Sequence, residues 1–447
     1  MVKGRVKDAD LMISGGRVLT MDEAGTRYDD GAVAVSGNTI VAVGPRQDIV
    51  TSYRAREVIS GRGCIVMPGL INGHTHAAMA CFRGIADDLK LEDWLNHYIF
   101  PAEAKNVDRE LVYWGSLLAC AEMVKSGTTA FCDMYIFEDE TAKAAQEAGM
   151  RCLVGEVLFD FPSPNYATPA EGLAYARRMA EKWAGDPLVR VMVEPHALYT
   201  CSPGLLKDAK ALADRFDLPI GIHFLETPFE RESLKQKLGM KPTAFLEEIG
   251  YLDERLIAFH CVWMDEEDIR LFADHGAKIV HNPESNMKLA SGVAPVPDML
   301  RAGVTVGLGT DGCASNNNLD LFEEMDTTAK IHKVHRLDAT TMAAETVVRM
   351  ATSEGAKVLG MGASTGMLKP GMKADIILID LMKPHLTPLY NEYSHIVYAV
   401  KGDDVKTSVI NGRVVMRDRR LVTIDEFEAM EKVTEIALKV KKSLGMD

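Results

Sequence analysis

The alternation of apolar and polar positions changes rhythm twice along this chain. Through the first sixty residues it is of the β kind. "LMISGGRVLTMD", "GAVAVSGNTIVAVG" and "REVISGRGCIVMPG" are β-rich runs broken at Gly and Asn turns, with no long helical pattern among them. From about Met67 short apolar runs alternate with amphipathic helical segments such as "ELVYWGSLLACAEMVKSG" and "DETAKAAQEAGM". That βαβα order is the mark of a parallel sheet. Eight runs read as its strands: "VMPGLING", "TTAFCDM", "RCLVGEVL", "VRVMVEP", "LPIGIHF", "RLIAFHC", "AKIVHN" and "VTVGLGTD". After "KPGMKADIILIDL" the β pattern returns through "SHIVYAVKG", "VKTSVING" and "RVVMRDRR", and a helix from about Ile424 to Leu444 closes the chain.

Eight β/α repeats over about 300 residues predict an α/β fold, a (β/α)₈ TIM barrel. The two β-rich ends are expected to pair into one small β-sandwich beside it. The divisions expected are 1–66 for the N-terminal part of that sandwich, 67–368 for the barrel, and 369–447 for the C-terminal part with the terminal helix.

Composition narrows the class. Hydrophobic residues make up 47% and charged residues 26%, ordinary for a soluble globular protein. Fifty Lys and Arg against 64 Asp and Glu leave a net charge of −14, with no basic stripe for a nucleic acid. No apolar run approaches the ~18 residues that span a bilayer. The eight cysteines include no C-x-x-C pair and read as buried reduced thiols, so a cytoplasmic enzyme is expected.

A barrel places functional side chains at the C-terminal ends of its strands. His74 and His76 end strand one, two residues apart, so both imidazoles face one way. His223 ends strand five, His260 strand six and Asp311 strand eight. A lone strand-end histidine is usually a hydrogen-bonded core residue, and a lone Asp before Gly a turn residue. Four strands delivering imidazoles and a carboxylate to one rim point instead to a shared metal. Three imidazoles with one carboxylate suit Zn²⁺, with a water activated in the remaining position, although ligand type leaves Fe²⁺ and Mn²⁺ open. Glu226, three residues past His223, lies beyond the strand, where the loop can turn it back as a proton shuttle.

The motifs "PGLINGHTHAAM", "HFLE", "FHCVWM", "HNPESNMKLASG" and "GLGTDGCASNNNLDLF" resemble the amidohydrolase superfamily over nearly the whole chain. More narrowly they are similar to its 5′-methylthioadenosine/S-adenosylhomocysteine deaminase group, which includes 5′-deoxyadenosine deaminases. The resemblance implies one Zn²⁺ per subunit on His74, His76, His223 and Asp311, with His260 beside the hydrolytic water. Binuclear relatives carry a bridging lysine on a central strand, and "VRVMVEPHALYT" has none. The implied reaction is hydrolytic deamination at C6 of adenine. Asp311 and His260 take the proton of the attacking water, while Glu226 protonates N1 and the departing ammonia. Glu103 is implied to hold the ribose hydroxyls, His196 to contact base or sugar, and Trp94 to cover the nucleoside; Glu226 and Asp311 also touch the substrate.

Members that favour S-adenosylhomocysteine are expected to hold its carboxylate with arginines near the end of strand three. Here Cys152–Ala176 contains no Lys or Arg, and Glu156 stands in their place. A small or apolar 5′ group is therefore expected, with Glu156 accepting a hydrogen bond from the sugar unless a cation such as Arg83 reaches in. A deaminase or chlorohydrolase of guanine or an s-triazine shares the same ligand motifs and is the alternative; a non-catalytic scaffold is a remoter one. The expected partner is a small nucleoside, with neither nucleic acid nor membrane involved, and barrels of this kind are often symmetric homo-oligomers.

Overall fold

The computed structural model describes residues 6–446. The central segment forms the barrel. Its strands are Leu70–Thr75, Thr128–Tyr135, Arg151–Leu158, a fourth in two pieces (Val189–Val191 and Glu194–Pro195), Ile220–Phe224, Leu256–His260, Lys278–His281 and Val306–Leu308. Strands one to four pair in parallel as one arc and five to eight as another. Single parallel bridges, Val193 to Ile220 and Ala197 to His223, join the arcs at one seam. At the other, Asp311 N donates to His74 O at 3.0 Å. Glycine makes that seam tight: a Cβ at Gly73 would stand 2.9 Å from Leu308 O, and one at Gly309 2.7 Å from His74 N.

The β-rich ends combine into one nine-stranded sheet. Lys7–Leu19, Arg27–Ser36, Thr39–Pro45, Tyr53–Ser60 and Cys64–Pro68 come from the N-terminal side; Ile376–Asp380, Val405–Ile410, Arg413–Arg417 and Arg420–Leu421 come from the C-terminal side. They meet where Ile376–Asp380 pairs antiparallel with Cys64–Pro68. Leu11, Ile13, Val35, Val66, Ile376 and Leu378 share one buried cluster there.

Two runs differ from expectation. "VMPGLING" is not one strand. Val66–Pro68 belongs to the nine-stranded sheet and Leu70 onward to the barrel, with Gly69 between them, where a Cβ would stand 2.1 Å from the Thr129 side chain. "SHIVYAVKG" is helical over Glu392–Tyr398 rather than extended. Asn391 caps that helix by accepting Ser394 N, and the adjacent Ile396 and Val397 are both buried, which a half-exposed strand does not allow.

Arg151, at the start of strand three, donates Nε to Asp375 Oδ2 at 2.6 Å and Nη2 to Asn411 Oδ1 at 2.8 Å, tying barrel to sheet through a buried ion pair. Between strand seven and the helix Leu321–Arg336, the Nε2 atoms of buried His281 and His332 lie 3.2 Å apart. All eight cysteines are unpaired and buried. Among the described residues no helix is long and apolar enough to cross a membrane.

The terminal helix Glu426–Leu444 starts at an Asp425 cap. It places Val433, Ile436 and Val440 in the apolar cluster that also holds Ile99, Ala102 and Leu111. It thereby backs the short helix Phe100–Asn106, which carries Glu103.

Candidate active site

The C-terminal ends of the barrel strands bring His74, His76, His223, His260 and Asp311 together. Donor atoms of His74, His223 and His260 lie within 4.8 Å of one another, and so do those of His74, His76 and Asp311. His76 Nε2 is 3.1 Å and His74 Nε2 3.5 Å from Asp311 Oδ1. Backbone acceptors set the ring orientations. His223 Nδ1 donates to His196 O at 3.0 Å and His76 Nδ1 donates to Met134 O, which leaves each Nε2 lone pair for the cluster. His260 Nδ1 faces Asn286 Oδ1 at 2.9 Å, so its Nε2 is likewise the bare nitrogen.

His74 decides what the cluster is for. It has no exposure, stacks on Phe259 at 3.9 Å between centroids, and neither ring nitrogen has a hydrogen-bond partner. A buried imidazole left unsatisfied is costly unless its lone pair is used. A divalent ion uses it, and three neutral imidazoles with one carboxylate are a fitting donor set.

Electrostatics agree with that use. Burial pushes His74 down to about 3 and His223 well below its ordinary value, so both rings are neutral. Burial alone would raise Asp311, but the His74 and His76 imidazoles beside it hold it well below the usual carboxylate range. Burial also opposes charge on His76, and the hydrogen bond and charge of Asp311 override it, lifting His76 to about 9. A bound cation displaces that proton.

Asp311 is oriented by two hydroxyls: Ser285 Oγ donates to its Oδ2 at 2.6 Å and Ser315 Oγ at 2.8 Å. Backbone strain gathers at the same rim. His260 has φ +70°, Asp311 φ +62° and Leu225 φ +50°, all left-handed. The turn at Leu225 follows directly on the strand that carries His223 and redirects the chain at Glu226.

Glu226 Oε1 accepts Ser291 Oγ at 3.3 Å, and its Oε2 lies 3.9 Å from His260 Nε2. Burial raises its pKa. Its place is fixed by Glu230, which accepts Leu225 N at 3.0 Å and Glu226 N at 2.8 Å. Sequence reasoning passed over Glu230, Ser285, Ser291, Asn286 and Ser315. Glu230 alone had a local signal, a Thr-x-x-Glu helix start at Thr227; the others needed spatial neighbours.

The pocket that opens on the cluster is lined mainly by apolar and aromatic side chains, with a few polar groups facing in. Trp94, Glu103, His196, Glu226 and Asp311 all line it. Trp94 donates Nε1 to Ala86 O at 3.1 Å, which fixes the indole over the pocket. Glu103 accepts Tyr135 Oη at 2.7 Å and is raised to about 7 by burial, against that hydrogen bond. His196 is neutral, pushed down to about 3 by burial, with Nδ1 2.9 Å from Thr200 Oγ1.

Glu156 is a correction. It is fully buried but does not line the pocket; its neighbour Val157 does. Adjacent strand residues face opposite ways. Glu156 instead accepts Asn165 Nδ2 at 2.7 Å and Glu138 N at 3.1 Å, so its carboxyl is not free for a sugar. Arg83 is also accounted for: it pairs with Glu122 and donates to Asn317 O at 2.5 Å, away from the pocket wall.

A metal-binding hydrolase barrel is what this fold and rim define, and the chain belongs to the amidohydrolase family, whose pattern matches residues 65–415. Particular relatives are close over full length. It is 63% identical, over 98% of this chain and 99% of the other, to the 5-methylthioadenosine/S-adenosylhomocysteine deaminase 1 of Syntrophus aciditrophicus (strain SB). It is 46% identical, over 96% and 98%, to the 5′-deoxyadenosine deaminase of Methanosarcina barkeri. A crystal structure of an adenosine deaminase from Xanthomonas campestris with bound zinc superposes with a TM-score of 0.96 at 37% identity, covering 98% of this chain and all of that one.

Proposed function

We propose that this chain is a metal-dependent aminohydrolase acting at C6 of adenosine-type nucleosides, with the inosine analogue and ammonia as products. The observation that carries the reading is a burial-raised Glu226 facing His260 in a pocket lined by Trp94, Glu103 and His196, beside a cluster whose innermost imidazole has both nitrogens unpartnered. The names and full-length identity of the relatives support it. His74, His76, His223 and Asp311 would hold the ion; Zn²⁺ suits the set best, and Fe²⁺ and Mn²⁺ take the same ligand types. Such an ion, when bound, supplies a Lewis acid that lets water ionise near neutral pH.

The chain's own groups do the rest. Glu226, whose hold on a proton burial strengthens, donates to N1 of the base and then passes a proton to the departing ammonia. His260 Nε2 and ionised Asp311 accept the protons released by the attacking water. Trp94 covers the base, His196 meets its edge or the sugar, and Glu103 accepts from the ribose hydroxyls. Among the described residues no Lys or Arg lines the pocket, which favours a small or apolar 5′ group: 5′-deoxyadenosine, 5′-methylthioadenosine or adenosine over S-adenosylhomocysteine.

Ammonia release from these four nucleosides, guanine and an s-triazine tests the reading, alongside elemental analysis of His74→Ala and His223→Ala. Turnover of the nucleosides and metal loss in both variants are expected. Guanine or triazine as best substrate, or full metal content in both variants, overturns it; S-adenosylhomocysteine best by about tenfold or more overturns the 5′ preference.

A further inference from the structure

One wall of the pocket is aromatic and leads away from the reacting end. Aromatic rings step outward along it from the ligand cluster. His223 to His196 is 4.8 Å between centroids, His196 to Phe159 5.0 Å, Phe159 to Phe161 4.6 Å and Phe161 to Phe100 6.2 Å. Exposure rises along the same line, from 6% at Phe159 to 39% at Phe161. Phe159 and Phe161 are stacked, 20° from parallel, and Phe100 meets Phe161 edge-on at 63°. Phe159 and Phe100 both line the pocket, and the more exposed Phe161 packs against both rings from outside that lining.

Substrate geometry gives this wall an occupant. With C6 of an adenine at the cluster, N9 and its sugar lie across the bicycle, toward the mouth, and the 5′ carbon points further out. We propose that Phe159, Phe161 and Phe100 form the seat for the nucleoside's 5′ substituent, and that Phe161 is a specificity-determining residue for it. The proposal rests on the adenosine-deaminase reading. Ring faces and edges bury a methyl or a thioether through dispersion and sulfur–aromatic contact. A zwitterionic tail meets no Lys or Arg there, and the titratable groups that line the pocket are carboxyls and imidazoles. Phe161 thus sets the preference for 5′-methylthioadenosine over adenosine, whose 5′ hydroxyl gains little from a ring.

The test is kcat/KM for these two nucleosides, by ammonia release, in the metal-replete wild type, Phe161→Ala and Phe161→Leu. Phe161→Ala is expected to lower the value for 5′-methylthioadenosine about tenfold, mainly through KM, and to leave adenosine within about twofold; Phe161→Leu recovers most of the loss. An unchanged ratio in Phe161→Ala, with adenosine still turned over, overturns the seat and leaves the deaminase reading standing. A ratio unchanged while sedimentation shifts assigns Phe161 to a subunit contact and overturns it equally. No ammonia from either nucleoside in the wild type overturns both readings.

Discussion

Glu226 shows how a single carboxyl acquires a task. Two backbone amides fastened by Glu230 fix its main chain, Ser291 holds one oxygen, and burial raises its pKa. Replacing it with Gln keeps shape and hydrogen bonding but removes the transferable proton. Glu226→Gln is expected to retain its metal, measured by elemental analysis, and to lose about 10²–10⁴ in kcat. Near-normal turnover would remove Glu226 from the shuttle. At this scale the ligands were legible because each ends an apolar run, whereas the direction of Glu156 was not. Strand three is apolar on both faces, so nothing in "RCLVGEVL" shows which alternate residues face the pocket. Side chains such as Ser285 and Asn286 matter through contacts made across the fold and leave no local pattern.

Elements were more legible than their edges. Parallel strands covered on both sides read as continuous apolar runs, and all eight could be counted. "VMPGLING" concealed a boundary because the runs on either side of Gly69 are equally apolar. "SHIVYAVKG" misled because a short apolar run does not by its period distinguish strand from helix. The strand-seven element carries a pH consequence. Burial lowers His332 to about 4 and His281 well below its ordinary value, so both are neutral in the fold. An unfolded histidine takes up its proton near pH 6.5. The folded pKa is depressed, so the unfolded state binds more protons in this window and stability falls as pH drops from about 6.5 toward 4. Thermal unfolding midpoints of the metal-replete enzyme between pH 7.5 and 5 are expected to fall less steeply in His332→Gln than in the wild type. Identical slopes would show that the pair is not a source of acid sensitivity.

The whole molecule joins a barrel to a sheet built from both chain ends, and the two β-rich termini announced that union before any contact was known. The fastening between them was hidden, because Arg151 and Asp375 are 224 residues apart. Asp375→Ala leaves a buried guanidinium unpaired and is expected to cost about 3–5 kcal/mol, seen as a lower thermal midpoint with unchanged activity per folded enzyme at 25 °C. An unaltered midpoint would mean that the pair does not hold the two parts together. The cysteines reach further than the absence of disulfides suggests. Every thiol is covered, and burial pushes Cys64 and Cys201 up to about 11, so the native molecule offers an alkylating reagent almost no thiolate. Labelling then proceeds only as fast as the structure opens. Counting modified thiols over time by mass spectrometry, with and without metal, turns eight silent side chains into a clock for how often the enzyme comes apart and for how far its ion slows that clock.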